Sequence, residues 1–184
     1  MKITREDIFK ESKYQLLKYG YDYFNFTSLS SALSVTRAAL YKYYKSKDEL
    51  IIDLMNEEMA NFLKDFKHIF ESKINDKVLK EILIKMAHFS DIHRLLESTF
   101  RIDYDNQYRY KDKFESLQNY HLLLNTYLND IVDTCKSLGF FSKELDNNFI
   151  IKFITNSVNI LDENSDEKNI TLLENVLLNG LKQN

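Results

Sequence analysis

The sequence predicts an all-α protein of about nine helices, and three observations predict it. Proline is absent from all 184 residues, where average usage near 5% would give roughly nine. Glycine occurs only at Gly20, Gly139 and Gly180. Apolar residues recur at steps of three and four through most of the chain, which is the helical period. A sandwich or barrel needs many Gly/Pro turns, so the all-β class is excluded. Hydrophobic content of 44% and aromatic content of 14% exclude a disordered chain.

The elements follow in order. Thr4-Arg5-Glu6-Asp7 is a helix start, with a capping hydroxyl and acids in the first turn. The stripe Ile8, Phe9, Ser12, Leu16, Tyr19 continues it, and Gly20 is placed to end it. Asn25 caps a short second helix with the stripe Phe26, Leu29, Ser30, Leu33. Ser34-Val35 breaks the pattern, and Thr36 caps a third short helix through Tyr44. Ser46-Lys47-Asp48-Glu49 reads as a capping box. It opens a long helix with the stripe Leu50 or Ile51, Met55, Met59, Phe62, Phe66, Ile69, roughly 35 Å long at 1.5 Å per residue. Val78, Ile82, Met86 and Phe89 mark another helix, and residues 91–105 a short helix and a bend. Leu117, Tyr120, Leu124, Leu128, Ile131, Cys135 and Leu138 form a long stripe ending at Gly139. Phe149 or Ile150, Phe153, Ile154, Ser157 and Leu161 form the next. Ile170, Leu173, Val176 or Leu177, and Gly180 or Leu181 form the last. Residues 74–76 and 162–166 read as loops.

Composition narrows the setting. The single cysteine, Cys135, leaves no intramolecular disulfide and no CxxC metal motif. No apolar run reaches the ~18–20 residues of a membrane span. The charged N-terminus lacks a signal-peptide apolar region, so a cytoplasmic location and no membrane partner are expected. The net charge of −3 conceals an asymmetry. Residues 1–47 carry nine Lys/Arg against four acids, a formal +5, while residues 48–184 carry 16 basic and 24 acidic residues, −8. No acid lies between Asp22 and Asp48, and seven Ser/Thr crowd that window. A basic, hydroxyl-rich head on an acidic body suits a phosphate-bearing partner. A solvated basic face is the alternative.

Two helices of about two turns joined by a tight turn, inside a three-helix unit, describe a helix-turn-helix spanning about residues 25–44. On the wheel of the third helix, Leu40 and Tyr44 share the face that packs on Leu29, Leu33 and Val35. Ala38, Ala39 and Lys42 point away, with Arg37 and Tyr41 at one rim and Tyr43 at the other. Small residues let the backbone approach a major groove, and Lys42 and Arg37 reach guanine edges or phosphate. The Tyr41 and Tyr43 hydroxyls suit phosphates on the groove walls, unless they are ordinary packed aromatics. Lys47 lies in a helix first turn, where a cation opposes the macrodipole and a bound phosphate would suit both. As a lone residue it also reads as a solvated lysine. Thr27 and Thr36, near helix N-termini, are further phosphate contacts.

These residues resemble the N-terminal domain of tetracycline-repressor (TetR) family regulators. The matches are Gly20, Tyr21, Leu29, Leu33, Val35, Thr36, Ala38, Leu40, Tyr41, Tyr43, Lys47, Asp48 and Leu50, without gaps. The string 40–50, LYKYYKSKDEL, is the most specific part. Departures are Ser34 for the usual turn glycine, Ser30 for alanine, Asn25 for the capping hydroxyl and Tyr44 for phenylalanine. The resemblance implies a helix-turn-helix DNA-binding domain over residues 1–48 and a helical effector-binding and dimerisation domain over 49–184. It implies a homodimer on a double-stranded, pseudopalindromic operator, released by an unknown small-molecule effector, with no cofactor, no metal and no enzymatic role.

The body is expected to serve those ends. Phe100, Tyr104, Tyr108, Phe114, Tyr120 and Tyr127 are candidates for an effector pocket, because apolar rings with hydroxyl tips line pockets well. They fill cores equally well. Ile150, Phe153, Ile154 and Ser157 on one helix, with Leu173, Val176, Leu177 and Gly180 on the other, are candidates for a four-helix dimer interface. Closing the single-chain core is the alternative. A metal-dependent enzyme would have to use His88, Asp91 and His93, but helical metal pairs favour i, i+4 spacing, which His93 breaks. A helical coactivator or adaptor using the head for protein contacts is the other alternative.

Overall fold

In the computed structural model, residues 3–71, 78–88, 90–157 and 167–181 are described. Among them every regular element is helical. The loops expected at 74–76 and 162–166, together with Phe89 and Leu161, lie outside the described residues. So do the side chains of Val78, Met86 and His88.

The first three helices are α1 (Arg5–Tyr19), α2 (Phe26–Ala32) and α3 (Arg37–Tyr41), and each begins at the predicted cap. The Thr4 hydroxyl accepts from the Asp7 amide, and the Asp7 carboxylate accepts from the Thr4 amide, completing a capping box. Those bonds hold the Asp7 carboxyl below its ordinary range. Asn25 Oδ1 accepts from the Thr27 and Ser28 amides. Thr36 Oγ1 accepts from Ala39 N. α3 ends three residues earlier than its stripe suggests, because the Tyr43 and Tyr44 amides both turn back to the Leu40 carbonyl.

α4 (Lys47–Glu71) follows, with the Glu49 amide donating to Ser46 Oγ. The Glu49 carboxylate reaches one residue beyond the usual capping box, to the Lys45 amide at 2.7 Å. Its whole predicted stripe is buried, Leu50 and Ile51 alike. Next come α5 (Val78–His88), α6 (Ser90–Thr99) and α7 (Tyr104–Arg109). The segment read as one short helix and a bend therefore holds two helices. Asp103 restarts the chain as α7 by accepting from the Asn106 amide at 2.8 Å. The chain ends with α8 (Lys111–Ser137), α9 (Asn147–Ser157) and α10 (Glu167–Leu181), making ten helices among the described residues.

Two compact units emerge. One comprises residues 1–60 and 91–119, and the other residues 61–90 and 120–184. In the first, α2 packs on α1 and α3, and Ile8, Leu16, Phe24, Leu29, Leu40 and Tyr44 are all buried. In the second, α10 packs on α5 and α9, with Ile82, Leu83, Ile131, Ile150, Ile154 and Leu177 buried. The Ser142 amide donates to the Leu181 carbonyl at 2.7 Å, tying the α8–α9 link to the end of α10.

Candidate nucleic-acid interface

The turn between α2 and α3 sets the geometry of the head. Val35 N donates to Ser30 O at 3.0 Å and Ser34 N to Ser31 O at 3.1 Å. This 6→1 and 5→2 pair is a Schellman ending, whose outer residue must take positive φ. That residue is Ser34, at φ 53°. The same bond pair recurs at the end of α8, where Gly139 takes the positive φ.

Beyond the turn, Leu40 and Tyr44 are buried with Leu29, while Leu33 and Val35 are half-buried. Arg37, Ala38, Tyr41, Lys42 and Tyr43 are exposed, and Ala39 is half-buried. The exposed surface of residues 37–43 therefore carries one small residue, two cations and two tyrosines. Tyr41 is fixed by an edge contact with the Phe26 ring at 5.1 Å. The Arg37 guanidinium lies over the Tyr41 ring at 5.9 Å and reaches its hydroxyl at 3.4 Å. Tyr43 lies beyond the end of α3, where its hydroxyl donates to the Ile3 carbonyl at 2.6 Å. Its oxygen is left to accept, so a phosphate must displace that bond to receive the proton. Thr27 and Thr36 are exposed at the starts of α2 and α3.

Lys47 is neither a free solvated lysine nor an isolated one. Its Nζ donates to the Tyr21 carbonyl at 3.0 Å and lies 3.8 Å from the centre of the Tyr21 ring. An ammonium has three donors, so two remain. Tyr21 in turn donates its hydroxyl to Asp48 Oδ1 at 2.8 Å. Burial, followed by that carboxylate, pushes the Tyr21 phenol well above its ordinary value. The Tyr44 hydroxyl, buried where the resembling family carries phenylalanine, accepts from Arg5 Nε at 3.3 Å. Burial raises its pKa, against the opposing influence of Arg5.

Several residues at this site carry no local sequence signal. Arg5 pairs with Asp53 and Glu57 at 3.6 and 3.5 Å. Asn106, Tyr110 and Lys113 bond to Asp48, Ser46 and the Glu49–Asp53 pair. These contacts span 48 to 64 residues, so no periodicity or motif could have revealed them.

The other expected sites are placed as follows. Phe100, Tyr104 and Tyr108 are three-quarters exposed, and Phe114, Tyr120 and Tyr127 are half-buried. A cavity of about 380 Å³ lies between the end of α1 and α6, lined by Leu16, Leu17, Tyr21, Arg94, Ser98 and Arg101 among others. Two more measure about 430 and 390 Å³. Tyr108 lines the second of these three, and the other five candidate aromatics line none of them. On α9 and α10, Ile150, Ile154, Ser157, Leu173 and Leu177 are buried. Phe153, Val176 and Gly180 are exposed. Among the described residues no His/Cys/Asp/Glu group is placed to hold a metal ion.

No family model matches the chain, and no curated protein does. Solved structures match it over its whole length. The ketosteroid regulator KstR2 of Mycobacterium tuberculosis aligns with a TM-score of 0.75 and 14% identity, over 100% of this chain and 97% of that one. The TetR-family regulator PfmR of Thermus thermophilus aligns with a TM-score of 0.74 and 17% identity, over 100% of both. FadR of Bacillus subtilis, solved with stearoyl-CoA, aligns with a TM-score of 0.66 and 16% identity, over 96% of both. The chain thus has the all-α fold of TetR-family transcription regulators.

Proposed function

We propose that this chain, built on that fold, is a ligand-responsive, DNA-binding transcription regulator. It acts as a homodimer on a pseudopalindromic operator and is a repressor released by a small molecule. The observation that carries this reading is the exposed surface of α3 and the two residues after it. It combines the small Ala38, the cations Arg37 and Lys42, and the tyrosines Tyr41 and Tyr43. Lys42 and Arg37 read base edges or phosphate. Tyr41, Tyr43, Thr27, Thr36 and Lys47 hold the backbone and set register.

Residues 1–48 are the DNA-facing part, and 49–184 carry dimerisation and effector response. Phe153, Val176 and Gly180, with the neighbouring Phe149 and Leu172, form the outward strip that a second copy would cover. Ile150, Ile154, Ser157, Leu173 and Leu177 hold that strip from beneath. Tyr120 and Tyr127 on α8 are candidates for effector contact. The effector must bind the DNA-competent and DNA-free conformations with different affinity. It acts by moving α4, and through it Lys47 and the recognition helix. No described helix is long and apolar enough to cross a membrane, and the setting is cytoplasmic and non-enzymatic.

The test is selection of bound duplexes from random DNA by the full chain, followed by affinity against salt. A pseudopalindrome and a steep fall of log K with log[salt] are expected. Lys47→Met is expected to weaken binding to all sequences and to lower that slope by about one. Stearoyl-CoA is the first probe in a release screen, because one structure of this fold contains it. Failure to enrich any duplex, or a flat salt dependence, would sink the reading.

A further inference from the structure

Asn106 on α7, Tyr110 at its end and Lys113 in the first turn of α8 follow at steps of four and three. All three bond to the start of α4. Asn106 Nδ2 donates to Asp48 Oδ2 at 2.7 Å. The Tyr110 hydroxyl and Ser46 Oγ share a hydrogen bond at 3.0 Å. Lys113 Nζ lies 2.8 Å from Asp53 Oδ1 and 3.2 Å from Glu49 Oε1. The Lys113 carbonyl also accepts from Asn56 Nδ2 at 3.0 Å.

Asp48 is the keystone of this set. It is 4% exposed, and its two oxygens accept from neutral donors, Tyr21 on one side and Asn106 on the other. A buried carboxylate depends on such donors, since removing one leaves it unsatisfied. Tyr21 in turn carries Lys47 through its carbonyl and its ring. The contacts therefore run in a chain from Asn106 to Asp48, to Tyr21 and to Lys47.

We propose that Asn106, Tyr110 and Lys113 are positioning residues for the DNA-binding head. They fix the first turns of α4 so that Lys47 and the amides beside it meet a phosphate without further ordering. This rests on the reading of the head as a duplex-binding surface. Contacts made in advance of binding reduce the ordering cost of association, so the effect appears as affinity.

The experiment is an exchange of the two side chains in the full-length protein. Asn106→Asp sets its carboxylate against those of Asp48 and Asp103, to which Asn106 Nδ2 donates at 2.7 and 3.3 Å, and breaks both bonds. The double variant Asp48→Asn with Asn106→Asp restores the first in reverse: the new amide donates to residue 106, and its carbonyl still accepts from Tyr21. We expect Asn106→Asp to lose about tenfold in affinity for the selected duplex and the double variant to regain part of it, because residue 106 still faces the Asp103 carboxylate. Amide hydrogen exchange at residues 47–51 is expected to quicken in the single variant and slow again in the double. Unchanged duplex affinity and exchange in Asn106→Asp, or a folded double variant that recovers neither, would overturn the proposal. Absence of duplex binding by the unmodified chain would defeat the function reading alone, because the exchange measurement still decides whether this face holds α4.

Discussion

Ser34 is the residue at which the local rules and the fold disagree most. It is the only non-glycine with positive φ among the described residues. It holds that angle because α2 must end within one residue for α3 to start from Thr36. The left-handed region costs a residue with a Cβ roughly 1–2 kcal/mol, part of which is recovered because serine is less free than glycine when unfolded. Ser34→Gly is therefore expected to stabilise the protein by up to about 1 kcal/mol, or ~2–4 °C in melting temperature. Thermal melts of the two proteins check this, and a lower melting temperature for the glycine variant would contradict it. Caps such as Asn25, Thr36 and Ser46 were legible in the sequence because their partners lie two or three residues away. The partners of Tyr43 and Lys47 were not, since Ile3 and Tyr21 lie 40 and 26 residues off.

Among the elements, α9 and α10 show what periodicity leaves open. Each stripe offered two neighbouring residues for one core position. Packing selects Ile150 over Phe149, Leu177 over Val176 and Leu181 over Gly180. The residues passed over do not become polar surface. Phe149 and Phe153 stack with ring centres 6.1 Å apart while remaining 54% and 38% exposed, and Leu172 and Val176 are 62% and 55% exposed. Both helices are thus apolar on two faces, which is more than one chain buries. If the proposed dimer forms through this strip, Val176→Asp is expected to leave helicity and melting largely intact while converting dimer to monomer in sedimentation. Ile154→Asp is expected to destabilise the fold itself, because it buries an unpaired charge. Equal sedimentation of Val176→Asp and the unmodified chain would remove Val176 from the proposed interface.

For the whole molecule, Cys135 offers a probe of global opening. It is 2% exposed in the unit formed by residues 61–90 and 120–184, and burial pushes its thiol up to about 11. Because the thiolate is the reactive form, labelling by a thiol reagent at pH 8 is expected to wait on unfolding and to accelerate with denaturant. Rapid stoichiometric labelling of the native protein would show that this unit opens locally. At the same scale, the +5 of residues 1–47 and the −8 of the remainder divide along the sequence but not between the compact units. Residues 48–60 and 91–119 belong to the unit that contains the head, and Arg5 and Lys13 pair there with Asp53, Glu57 and Glu58 of α4.

The sequence by itself determined the all-α class, the caps that start the head's three helices and the break after α2. All of these depend on residues within about one helical turn of each other, where spacing alone sets which side chains meet. Only the tertiary structure decided that residues 91–119 join the compact unit containing the head and that Asn106, Tyr110 and Lys113 bond to the start of α4. It also decided which half of each α9 and α10 stripe faces inward. Those outcomes depend on segments brought together across dozens of residues, and helical periodicity carries no information about which distant helix supplies the partner.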